Sequence, residues 1–113
     1  VDILSCFGNR GRLFGLRVRG DSMVDAGILG GDLVVLEKRC TVENGEIAAV
    51  RLDHEATLKR VCRNCDGVVL RSANPAFEDI VINEGDGRTV SIEGRYVGLL
   101  RVTGTHPGGK ADR

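Results

Sequence analysis

From Phe14 to Arg19 the chain alternates, with Phe14, Leu16 and Val18 on one face of an extended segment and Arg17 and Arg19 on the other. A period of two is the mark of a half-buried strand. The pattern stops at Gly20-Asp21-Ser22-Met23, and Asp25 to Gly31 reads as a turn region that can hold one helical turn. Leu33-Val34-Val35-Leu36 is then an unbroken apolar run, as expected of a short strand buried on both faces. Ile47 to Leu52 and Ala56 to Arg63 predict two more strands, joined by the polar Asp53-His54-Glu55. Cys65-Asp66-Gly67 carries the Asp-Gly hairpin signature and leads into Val68 to Arg71. Asn74-Pro75 breaks the ladder, because proline has no N–H to donate. Asp79 to Ile82, Thr89 to Glu93 and Tyr96 to Val102 are the last expected strands.

No segment sustains a 3.6-residue period, and no internal repeat is visible. The pattern predicts one all-β domain of about eight short strands, a twisted and partly closed meander. It covers residues 13–102, with an arm or linker remnant at 1–12 and a Pro-Gly-Gly tail at 103–113. Composition agrees: 113 residues suit a single core, and 42% hydrophobic with 28% charged residues suits a globular chain. Sixteen glycines against two prolines favour tight turns, and the absence of Trp leaves the core to Val, Ile and Leu.

Charge and cysteine content narrow the function classes. Sixteen basic residues balance sixteen acidic ones, so the domain lacks the electrostatic footprint of a nucleic-acid binder. No apolar run is long enough to span a membrane, and the N-terminus lacks a signal peptide's charged start and apolar core. The expected location is therefore cytoplasmic. Of Cys6, Cys40, Cys62 and Cys65, the last two have the spacing of half a zinc site. Cys6, Cys40, His54 and His106 do not form a second knuckle, so reduced thiols and no metal are expected.

Ser22 is a candidate nucleophile, but a serine hydroxyl at neutral pH needs a base within hydrogen-bond reach. His54 lies in a polar hairpin and His106 in the tail, which leaves neither well placed. A desolvated lysine can serve instead, since burial lowers its pKa and frees its lone pair. Strand alternation in "ATLKRV" puts Thr57, Lys59 and Val61 on one face, so Lys59 shares its side with a hydroxyl. Against this stands the ordinary reading: strand lysines usually snorkel to water, and a Gly-x-Ser turn often needs only turn chemistry.

The segments "LRVRGDSMVDAGILGGDLVVL", "NGEIAAVRLDHEATLKRV", "NPAFEDIVI" and "GRYVGLLR" together resemble the catalytic C-terminal domain of the LexA family. That family comprises self-cleaving SOS and phage repressors and the UmuD-type mutagenesis proteins. The likeness covers about residues 13–102, and its "DAGILGGDLVV" and "EATLKR" wording is closer to the LexA branch. It implies a LexA/signal-peptidase-like β fold in which Ser22 is the nucleophile and Lys59 the general base. It further implies an oxyanion site from backbone N–H groups around Asp21 and Ser22, a cleft lined by Met23, and Thr57 helping to hold Lys59. No cofactor is implied.

By the same resemblance the substrate is an Ala-Gly or Cys-Gly bond of the protein's own chain, cleaved under stimulation by RecA filaments on single-stranded DNA. Ala26-Gly27 lies inside the serine motif, and Cys6-Phe7-Gly8 is neither a Cys-Gly bond nor far enough upstream. The expectation is thus a chain that keeps the dyad but lacks its scissile bond, and that meets operator DNA only through an N-terminal domain not present here. The resemblance also implies a homodimer through Tyr96, Val97, Gly98, Leu99 and Leu100; on pattern alone an interior strand fits that run equally well. Two other readings remain at this stage: a UmuD-type processed subunit of a translesion polymerase, and a dimerisation module with an idle dyad. A signal-peptidase relative would need a membrane anchor.

Overall fold

A computed structural model describes residues 11–102 of the chain. The alternating and apolar runs become seven strands: β1 (Leu13–Arg17), β2 (Leu33–Lys38), β3 (Ile47–Leu52), β4 (Glu55–Asn64), β5 (Gly67–Arg71), β6 (Ile80–Asn83) and β7 (Val90–Leu100). The turn region after β1 contains a 3-10 turn, Val24–Ala26. All strand pairs are antiparallel and form one sheet in the order β1-β2-β7-β3-β4-β5-β6. The all-β, single-domain expectation therefore holds, but the sheet expected to be partly closed is open among the described residues, with β1 and β6 at its edges. Strands β3 to β6 form the expected meander. The last strand, β7, however, inserts between β2 and β3 and is a central element of the sheet.

The two strands expected at 89–93 and 96–102 are one continuous strand, β7. Gly94, between the two expected strands, is a point of close approach. A Cβ there would stand 2.7 Å from the Phe14 ring and 2.9 Å from the Glu37 carbonyl oxygen. Glycine in a strand interior often marks such contact. Gly94→Ala is expected to lower stability by about 1–3 kcal/mol, the usual range for overpacking. Urea denaturation checks this: the midpoint should fall with the slope unchanged.

The same strand carries two bulges. Val35 pairs with Gly98 and Leu36 with Tyr96, leaving Val97 extra; Ala49 pairs with Gly94 and Val50 with Ile92, leaving Glu93 extra. Bulges add local twist, and the sheet correspondingly buries opposite faces at its two ends. Ala48 and Val50 join Val42, Val61, Leu70 and Ile82 in one core cluster. Ala49 points the other way, into a second cluster with Met23, Ile28, Val34 and Leu36. The segment after β1 thus folds back over the sheet and is anchored there by Met23 and Ile28.

Among the described residues, two strand halves lack a neighbour on one side. Strand β5 pairs with β4 only over Arg60–Asn64, so the Glu55–Lys59 half of β4 is paired by β3 alone. Likewise, β3 reaches along β7 only as far as Arg95, so Tyr96–Leu100 is paired by β2 alone. The former open side faces the cleft described next. No helix among the described residues is long and apolar enough to cross a membrane.

Candidate active site

Strand β1 leads directly into the Ser22 turn. Beyond its last strand residue, Val18 still exchanges backbone hydrogen bonds with the returning loop, Val18 N–H to the Asp32 carbonyl at 2.9 Å and Gly31 N–H to the Val18 carbonyl at 2.9 Å. Gly20 then adopts φ +76°, in the left-handed region that side chains disfavour. The chain leaves its strand direction here, and half-buried Ser22 follows two residues later. Met23 is fully packed beneath it, at 2% exposure, so the serine sits on a rigid base.

Lys59 comes from the open half of β4, opposite Ala48 of β3. Its side chain is only 7% exposed, and its Nζ lies 3.2 Å from Ser22 Oγ in hydrogen-bond geometry. Burial pushes the Lys59 amine below its ordinary value of 10.5, and burial is the sole cause of the shift. A lysine held this way gives up its proton more readily than a solvated one. Once neutral, its lone pair can accept the Ser22 hydroxyl proton along the same contact.

Ser22 and Met23 line a cavity of about 310 Å³ together with Leu16, Val34, Thr57 and Leu58. Its walls are the segment leaving β1 and the unpaired half of β4. Thr57 lies in this wall, while the hydrogen bond of the Lys59 amine goes to Ser22. His54 sits exposed in the β3–β4 hairpin, and His106 lies outside the described residues. Cys40, Cys62 and Cys65 are free thiols, with Cys65 in the hairpin turn; Cys6 lies outside the described residues. That hairpin turns on Cys65 and Asp66, one residue earlier than the Asp-Gly reading, because the Asn64 side chain accepts from both the Asp66 and Gly67 N–H groups.

Two supports of the serine turn have no counterpart among the residues singled out from the sequence. Asn74 Nδ2 donates to the Asp21 carbonyl at 2.9 Å, and the Asp25 N–H donates to the Ala73 carbonyl at 2.8 Å. On the other side, Arg101 donates to both carboxylate oxygens of Asp32 at 2.7 Å and to the Gly27 carbonyl at 2.9 Å. Asn74-Pro75 gave a strand-breaking signal and opened one of the family-like segments, but neither pointed to a contact with Asp21. Asp32 and Arg101 become partners once β2 and β7 are paired, since Leu33 faces Leu100 and the flanking residues then follow.

A family model described as Peptidase S24-like matches residues 3–97. The chain belongs to this peptidase S24-like family. It is also 46% identical over 93 residues to the LexA repressor of Geobacter metallireducens, covering 82% of this chain and 46% of that protein. Similar figures hold for LexA repressor 1 of Geobacter sulfurreducens, 45% identical over 92 residues, covering 81% of this chain and 45% of that protein. The LexA repressor of an Anaeromyxobacter species is 40% identical over 97 residues, covering 86% of this chain and 42% of that protein. The S24-like chain therefore spans just under half the length of these relatives. The LexA-family resemblance carried by the motifs is thereby established.

Proposed function

We propose that this chain is the C-terminal, self-cleaving peptidase domain of a LexA-type transcriptional repressor, with Ser22 as nucleophile and Lys59 as general base. The observation that carries this reading is the 3.2 Å contact between Ser22 Oγ and a lysine amine whose pKa burial lowers. Neutral Lys59 takes the hydroxyl proton as Oγ attacks a backbone carbonyl in the cleft. The Asp21 and Ser22 N–H groups face the developing oxyanion, Met23 and the cavity walls seat the segment to be cut, and Thr57 borders the lysine. Lys59 then hands the proton to the departing amine. Water hydrolyses the acyl-serine ester in a second step, again with Lys59 as base.

In the whole repressor the segment to be cut precedes this domain, and a DNA-binding domain contacts the operator. RecA filaments on single-stranded DNA stimulate the cleavage, which places the protein in the SOS response to DNA damage in the cytoplasm. Two copies pair through the open side of Tyr96–Leu100, which among the described residues has β2 as its one neighbour in the sheet.

The pH dependence of cleavage tests the dyad. Measured in the full gene product without other proteins, the first-order rate is expected to rise about tenfold per pH unit while Lys59 is mostly protonated. It should level off below pH 10.5, the ordinary lysine value. A profile that is flat from neutral pH upward, or that turns over near a histidine pKa, would exclude Lys59 as the base.

A further inference from the structure

On the peptidase reading above, we infer that Asn74 is a positioning residue that aims the Ser22 N–H at the oxyanion. A peptide group is planar, and its C=O and N–H point in opposite directions. The Asp21 carbonyl and the Ser22 N–H belong to one such group. Asn74 Nδ2 holds that carbonyl at 2.9 Å, from a loop 53 residues further along the chain, and the Val24 N–H reaches the same oxygen at a longer 3.4 Å. With the oxygen pinned on one side, the Ser22 N–H is turned to the other. Neither the Asp21 nor the Ser22 N–H donates to a protein group among the described residues.

The asparagine is itself held rigidly. Its Oδ1 accepts the Ala76 N–H at 2.9 Å, and its backbone carbonyl accepts the Phe77 N–H at 3.0 Å. The adjacent Ala73 carbonyl takes the Asp25 N–H at 2.8 Å. The loop thus grips the serine turn on both sides of Ser22, at Asp21 and at Asp25. A side chain in this place needs a donor for Asp21 and an acceptor for Ala76, and the amide supplies both. An accepted hydrogen bond at a carbonyl also polarises the peptide group and strengthens its N–H as a donor.

Asn74→Asp keeps the shape and the Ala76 contact but sets an acceptor against the Asp21 carbonyl; Asn74→Ala removes both bonds. In each variant the plateau rate of self-cleavage at high pH is expected to fall by about tenfold or more, below the loss seen when an oxyanion donor is deleted outright. In Asn74→Ala the pH at which the plateau is reached should not move, because the Ser22–Lys59 contact is separate, whereas the added carboxylate of Asn74→Asp favours the protonated Lys59 amine and moves it upward. The amide nitrogen shift of Ser22, read by NMR in the uncleaved domain, should also move, since it senses the hydrogen bond on the preceding carbonyl. An unchanged plateau rate, a pH midpoint shifted in Asn74→Ala or an unmoved Ser22 amide would each overturn the assignment. Ser22→Ala is assayed alongside: full activity there would mean that the peptidase reading itself has failed, whatever Asn74 does.

Discussion

Lys59→Met is expected to abolish self-cleavage, at least about a 10³-fold loss, while leaving the domain folded and no less stable at neutral pH. Ser22→Ala should lose as much, since the Ser22 hydroxyl is the group that the Lys59 amine contacts. The two losses should not add, because each removes one half of a unit. Lys59→Arg is the sharper control. It keeps a positive charge and a long stem, but its guanidinium cannot shed a proton at any working pH, so it should be as inactive as Met.

The stability half of this prediction follows from the direction of the Lys59 shift. Burial lowers the folded-state pKa below 10.5, the ordinary value. Below the lowered pKa the amine is charged in both states, and the folded state bears the full desolvation penalty. Between the lowered value and 10.5 the unfolded chain binds more protons, so stability rises with pH there. Methionine has no such penalty. Its advantage over the native lysine should therefore be greatest at neutral pH and should shrink towards pH 10.5. Thermal melts of both proteins across that range check the sign. A methionine variant less stable than the native protein at pH 7 would mean that the lysine contributes a stabilising contact that outweighs its burial.

The strands that carry the site were legible because each has its own hydrophobic signature. Alternation through Arg17 and the break at Gly20 placed Ser22 at a strand's exit, and alternation in β4 gave Lys59 an inward face. Burial of Met23 and of Leu33–Leu36's central residues follows the same logic. Strand order was not legible. Alternation records which face a residue takes, not which strand lies beside it, so the insertion of β7 between β2 and β3 left no local trace. The gap left at 94–95 has a related cause: a glycine required by the Phe14 ring reads the same as one required by a turn. The supports of the serine turn stayed hidden because they are long-range pairings. Asn74 reaches across 53 residues to Asp21, and Arg101 across 69 to Asp32.

The Asp32–Arg101 pair should prove the most costly of these supports to break. Asp32 is 2% exposed, and its carboxylate receives two bonds from Arg101 and one from the Leu29 N–H. The Arg101 hydrogen bonds, aided by the Leu29 N–H and partly opposed by burial, hold the acid at about 2. Arg101→Ala would leave that acid enclosed without its counter-charge, and breaking an enclosed pair from one side is strongly destabilising. Water screens part of the effect, since Arg101 is 38% exposed. A fall in melting temperature on the order of 10 °C is expected at pH 7. Asp32→Asn with Arg101→Ala should recover much of it, because no charge is then left enclosed. The native pair's contribution is complete above pH 3.8 and fades as pH falls through about 2, so the gap between native and Arg101→Ala proteins should close only in strong acid. Activity should fall in parallel, because Arg101 also binds the Gly27 carbonyl in the loop that braces Val18 ahead of Ser22. A variant that melts with the native protein would show that the Leu29 N–H alone is enough to hold Asp32.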